Sequence, residues 1–335
     1  MTSIEARAKL KQDVISHWRA IDSGIEKSPL GISSGFKAWL HEPIGLLSTW
    51  GDFQTRFLSP LSECFGPLHR EIHLCFAGFS NGRRDGDISK DGALWVTGTG
   101  LLHGTFNAEY LGLKPTKLPV QIRWGEFLKF ENGLLVEIFL MHDLVDFCEQ
   151  IERPILPRPR GYAAIYPRPA MGDGIQLREV SEEVSAFSLE HIRDFLFNGL
   201  NSYDQTSLKS MGMERFFHPK IAWYGPGGIG ACFGLKAFQA DHQAHWLHAF
   251  PDRQVQDLTA LFAEGLYSGA PGWGAVLATH QGEYLGTQGT GASLSINGLD
   301  WWKRAGDQYV ENWVFVDMIH LFQQMGVDLL ARARP

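Results

Sequence analysis

The chain has 335 residues, of which 44% are apolar, with 11 Trp, 22 Phe and a formal net charge of −7. That is enough chain for two domains with cores of their own, and an acidic balance without a basic run excludes nucleic acid and anionic membranes as expected partners. Four scattered cysteines (Cys64, Cys75, Cys148, Cys232) exclude a disulfide frame or zinc knuckle, and no apolar signal core or stretch of about 18 apolar residues is present, so a cytoplasmic protein is expected.

Residues 4–21 predict a helix, with Ala8, Val14, Ile15, Trp18 and Ile21 near helical period. A Gly, Ser and Pro-rich loop follows over 22–35, then short helices within 36–68. Strand patterns cover 71–79 and 93–102. Strands at 118–130 and 134–142 flank Asn132-Gly133, a strong hairpin signal. A helix over 144–151 ends before Pro154. Residues 153–170 hold five prolines and predict an extended linker. In the second half, helices are expected near 182–200 and 234–248. Strands are expected at 216–224 and near 255–264, 273–281, 292–304 and 308–316, and a last helix at 318–325 stops at Gly326. Each half reads as helices, then an antiparallel meander, then a closing helix. The class is α+β, with a curved sheet folded around helices.

The halves are copies. Val136–Gln150 and Val310–Gln324 each read as an apolar strand ending in aspartate, then an amphipathic helix, at one constant offset that lays Asp143 on Asp317. The offset extends upstream without a gap, with Glu109-Tyr110-Leu111-Gly112 lying on Glu283-Tyr284-Leu285-Gly286. The expected domains are 1–152 and 175–335, joined by a linker over 153–174.

The repeated aspartates, Asp143 and Asp317, are the candidate catalytic groups. On a strand, Asp143 shares a face with Met141, Phe139 and Glu137, and Asp317 with Phe315, Trp313 and Glu311. If that face lines a pocket, desolvation raises the carboxyl pKa and makes a useful acid or base. The competing reading is helix N-capping, since each aspartate stands immediately before a helix. Candidate pocket residues are His280, Tyr284, Trp301, Trp313, His245, Trp223, His103, Tyr110 and Trp124. His103 and His280 are not equivalent under the offset, which argues against a shared catalytic histidine.

Other motifs read more plainly. Asp85–Asp91 resembles the start of a calcium loop but lacks Gly and Glu where such a loop needs them, so it predicts a solvated turn. Gly225-Pro226-Gly227-Gly228-Ile229-Gly230 matches G-x-G-x-x-G, yet Pro226 and the antiparallel context point to a glycine-rich loop at the sheet rim. His242, His245 and His248 lack an identifiable further ligand, so no metal is expected.

Several stretches together resemble the SnoaL-like polyketide cyclases of the nuclear-transport-factor-two-like superfamily. In the second half these are Thr279-His280-Gln281-Gly282, Gly286–Gly291, Glu311-Asn312-Trp313 with Asp317, and Gln324-Met325-Gly326. The first half keeps Gly112-Leu113-Lys114-Pro115-Thr116, Glu137, Asp143 and Gln150, but has Phe139 for the tryptophan and Glu152 for the final glycine. The resemblance implies two tandem cone-shaped α+β barrels, each with an apolar pocket. It implies acid/base chemistry by Asp317 and Asp143 in an aldol-type cyclisation or isomerisation, with no cofactor and no metal. The implied partner is a small apolar or aromatic carbonyl compound, and the implied assembly an internal pseudo-dimer, with a homodimer as a further option. Two alternatives stay open: a non-catalytic small-molecule-binding or assembly protein, and a hydrolase in which aspartate activates water beside His245 or His280.

Overall fold

In the computed structural model, which describes residues 3–24, 28–178 and 180–334, each half of the chain forms one mixed sheet with its helices. The first half runs α1 (Ser3–Asp22), β1 (Ile32–Leu40), β2 (Leu46–Leu47), α2 (Trp50–Phe53), α3 (Ser59–Phe65), β3 (His69–Phe79), β4 (Leu94–Thr105), β5 (Pro119–Glu131), β6 (Leu134–His142) and α4 (Leu144–Gln150). The second runs α5 (Glu182–Arg193), α6 (Met213–Phe216), β7 (Phe217–Tyr224), β8 (Ala231–Phe233), α7 (Leu235–Phe238), α8 (Ala244–Ala249), β9 (Gln254–Val255), β10 (Phe262–Glu264), β11 (Tyr267–Thr279), β12 (Ser293–Ala305), β13 (Gln308–Val316) and α9 (Met318–Gln324). Sheet order is β2-β1-β6-β5-β4-β3 in the first half. In the second it is β10-β11-β12-β13-β7-β8, with β9 also on β11.

The sequence repeat is a structural repeat. Under the offset that lays Asp143 on Asp317, β5, β6 and α4 coincide residue for residue with β12, β13 and α9. The hairpin at Asn132-Gly133 has positive φ at both residues, as its tight turn requires. The antiparallel meander is present in both halves, and each is extended by one strand in parallel: β1 on β6, and β7 on β13. The strand β1 occupies residues expected to be loop and helix. Ser33, Ser34 and Gly35 are weak strand formers and lie in an irregular stretch of the β1–β6 ladder, between the pairs Ile32–Leu135 and Lys37–Glu137.

Alternation along the strands sorts side chains onto two faces. On β5, Ile122, Trp124, Leu128 and Phe130 join the helix-side core, whereas Phe127 faces the other sheet. On β12 and β13 the same rule sends Trp302 and Val314 inward, and Leu299, Trp301, Trp313 and Phe315 outward. The two outward faces pack on each other through a continuous aromatic layer. Phe127 and Trp301, equivalent under the repeat, stack at 5.0 Å between ring centroids. That contact is what an internal pseudo-two-fold produces.

The proline-rich segment from 153 onward, expected as a linker, is threaded into this interface. Tyr166 lies in the aromatic layer and bonds Thr99 Oγ1 through its hydroxyl at 2.6 Å. Trp313 Nε1 donates to Pro167 O at 2.8 Å, and Tyr162 bridges Ala231 at the edge of β8. A buried ion pair, Lys11 Nζ to Glu264 Oε1 at 2.5 Å, ties α1 to β10 across the halves.

Candidate active site

An apolar cavity of about 180 Å³ lies between the inner face of the second sheet and its helices. From β12 come Gly298, Asp300 and Trp302, and from β13 Asn312, Val314 and Val316. The run through α7 and α8 supplies Phe238, His242 and Trp246, spaced four apart on one helical face. Phe195, Leu196 and Leu200 close one side.

Asp300 is the carboxylate in this cavity. Burial pushes its pKa up to about 7, opposed only by a hydrogen bond from the Asn312 side chain. It is half-buried rather than sealed, because its open side faces the cavity. His242 stacks on Trp223 at 4.3 Å between centroids, and burial, with the nearby Arg253 charge, lowers its pKa to about 3. It is therefore a neutral hydrogen-bonding ring at physiological pH.

The repeated aspartates lie elsewhere. Asp143 accepts from Asp146 N at 3.0 Å and caps α4, and its other oxygen accepts from Gly227 N at 2.7 Å. Asp317 accepts from His320 N at 3.1 Å and caps α9, and its other oxygen accepts from Glu42 N at 2.9 Å. Each thus caps its own helix and holds the turn after the first sheet strand of the opposite half. Both border one gap of about 10 Å³ between the halves, room for a single water at most. Burial pushes Asp317 up to about 7 despite the backbone N–H groups that donate to it. Around Asp143 the seam holds a guanidinium: Arg123 donates to Asp146 Oδ1 at 2.8 Å and to Gly225 O at 3.1 Å. Under the repeat, Asn297 replaces Arg123 and His320 replaces Asp146, so Asp317 has no equivalent cation.

The glycine-rich loop serves the same seam. A Cβ on Gly227 would sit 2.4 Å from Asp146 N and 2.8 Å from Asp143 Oδ1, and Gly230 has φ +82°. Its glycines let the β7–β8 turn touch the start of α4, which accounts for G-x-G-x-x-G without a nucleotide.

Of the expected pocket residues, Trp223 lines the cavity. Trp301 and Trp313 face the other half instead, with Trp301 Nε1 donating to Thr97 Oγ1 at 2.8 Å. They share strand parity with Asp317, and that face is the interface. The inner face carries the other parity, so choosing the wrong side of a doubly covered sheet moves every side chain. His245 and Tyr284 line a crevice of about 20 Å³ beside the cavity, separated from it by His242 and Ile229. His280 is buried against Phe250, with Nδ1 3.1 Å from Thr290 Oγ1. In the first half, His103 pairs with Glu71 at 3.2 Å, and Tyr110 packs on Phe65 and Phe147. Trp124 is core, against Trp18 and under the Arg70 guanidinium at 4.3 Å.

Two signals pointed to the residues missed. Glu126 is the counterpart of Asp300 under the repeat, so an acid occupies this strand position in both copies. The stripe Phe238, His242, Trp246 marks the inward helical face and turns His245 away from it. Among the described residues, no group of three His, Cys, Asp or Glu could hold a metal ion, and no helix is long and apolar enough to cross a membrane.

Residues 201–325 match the family model of SnoaL-like polyketide cyclases. Solved structures similar to the chain include AclR, a candidate hydroxylase from Streptomyces galilaeus, at 23% identity over 42% of this chain and 97% of that one, with a TM-score of 0.35. IdmH, a candidate polyketide cyclase from Streptomyces antibioticus, aligns at 19% identity over 42% and 99%, TM-score 0.34. A candidate SnoaL-like polyketide cyclase from Jannaschia sp. CCS1 aligns at 16% over 43% and 96%, TM-score 0.37. No curated protein matches the chain.

Proposed function

We propose that the second half is a polyketide-cyclase-type enzyme performing acid/base chemistry on a small apolar carbonyl compound, with Asp300 as the acid/base group. The observation that carries this reading is a single carboxylate, pushed up to about 7 by burial, in the wall of a largely apolar cavity. Such a group is populated in both protonation states at neutral pH. As carboxylate it removes a proton α to a carbonyl. The enolate formed attacks a second carbonyl of the same molecule, making the carbon–carbon bond, and the carboxylic acid returns the proton to the resulting alkoxide. For an isomerisation the proton returns to carbon. The Asn312 amide orients the carboxylate, and neutral His242 donates an N–H toward developing oxyanion charge. A cavity of this size suits a one-ring compound, comparable with engineered cavities of about 150 Å³ that take benzene.

Asp317 and Asp143 take the capping and seam role in this reading, and the first half is structural, which keeps part of the binding-or-assembly alternative. The test is α-proton exchange of small cyclic and aryl ketones in D2O, followed by proton NMR. Asp300→Asn is expected to slow protein-dependent exchange by about 100-fold or more. Unchanged exchange in Asp300→Asn, with loss in Asp317→Asn, would return the chemistry to the seam aspartate.

A further inference from the structure

The cavity wall contains a buried cation without an anion. Arg253 follows α8 and is 5% exposed. Its Nη2 donates to Leu200 O at 2.9 Å and approaches Met211 Sδ at 3.7 Å, and its Nη1 has no hydrogen-bond partner. No carboxylate pairs with it among the described residues. Its chain neighbour Asp252 is engaged elsewhere, accepting from Thr279 N at 2.9 Å. Gln243 lies in the same wall with Oε1 unpartnered and Nε2 on Met211 Sδ at 3.6 Å, a weak acceptor.

Among the described residues, the other buried guanidinium groups have partners; Arg7 keeps an unpartnered Nε but is ion-paired with Glu182. Arg123 has Asp146, Arg70 has Asp22 through two bonds of 2.9 Å, and Arg304 uses Ser188, Gly306 and Val184. A buried charge with a free donor is costly unless something pairs with it. At Arg253 the adjoining space is a ligand cavity, so the missing partner can arrive with the ligand.

We infer that Arg253 is an anion-binding subsite of the cavity, and that the ligand is a small apolar-ring compound bearing a carboxylate. The inference rests on the cavity being a ligand site, as the proposed function also does, but not on chemistry at Asp300. The carboxylate pairs with the Arg253 guanidinium in the cavity wall and draws the ring against the aromatic wall. It thereby fixes which end of the molecule is presented to Asp300. A neutral ligand of the same shape leaves the guanidinium unpaired.

The experiment compares benzoate with its neutral isostere benzamide, by calorimetry and by Trp fluorescence at pH 7.5, on the full chain. Benzoate is expected to bind at least about tenfold more tightly, the discrimination of one charge-assisted hydrogen bond. Arg253→Met is expected to erase the preference while keeping benzamide binding, and Arg253→Lys to retain part of it. Equal binding of the two probes, binding of neither, or a preference that survives Arg253→Met would each overturn the inference. If Arg253→Met does not fold, the wild-type preference and Arg253→Lys decide. Asp300→Asn separates the two readings. A benzoate preference that persists while α-proton exchange is unaffected sinks the acid/base assignment and leaves the carboxylate subsite standing.

Discussion

At one equivalent position on the middle strand of each sheet the first half carries Trp124 and the second Gly298. Two positions further along, the first carries Glu126 and the second Asp300. In the first half Trp124 and Trp18 fill the interior, and Trp18 Nε1 donates to Glu126 Oε2 at 2.7 Å. In the second half the same region is hollow, and Asp300 looks into the space. Both acids are pushed up to about 7 by burial, yet only one has room beside it for a substrate. A perturbed carboxyl is therefore a poor guide to function unless the space next to it is also known.

The largest expected effect tests the filled half. Trp124→Ala should cost about 3–5 kcal/mol in urea unfolding, because a fully buried indole leaves a cavity. A loss below ~1 kcal/mol would mean that the first half is not held by this packing. The reciprocal change, Gly298→Trp, should abolish small-ligand binding, since an indole would occupy the cavity; undiminished binding would place the ligand elsewhere.

Next in size is the seam. Gly227→Ala forces a Cβ onto Asp146 N and Asp143 and should cost about 1–3 kcal/mol by thermal or urea unfolding. A neutral substitution would mean that the loop can retreat without loosening the halves.

The remaining test reads the seam of the second half, at Asp317, by pH. Asp317 has a raised folded pKa near 7, so the folded state holds its proton to higher pH than the unfolded chain. Its contribution to stability is complete below about pH 4 and is lost as pH rises through about 7. Wild type should accordingly lose stability relative to Asp317→Asn between pH 5 and pH 8, on the order of 1 kcal/mol per pH unit at most. A wild-type protein that gains on Asp317→Asn over that range would remove burial as the dominant influence on Asp317.

The sequence by itself determined the duplication, the α+β class and the register of β5, β6 and α4 on β12, β13 and α9, while at the repeated aspartates it left catalysis and capping both open. Each of these depends on local chemistry or short-range period, which a linear string preserves. Its candidate site acids were Asp143 and Asp317, and of its candidate pocket residues Trp223 lines the cavity. Only the tertiary structure decided which face of each sheet is the interface and which the cavity, because both faces are buried and both read as apolar. That choice moved Trp301 and Trp313 out of the pocket and brought in Asp300, His242 and Arg253. It likewise decided that Gly227, distant from Asp143 in sequence, holds its carboxylate, and that Trp18 fills one interior while its counterpart stays open. Those outcomes depend on long-range packing between elements whose separation in the chain carries no periodic signature.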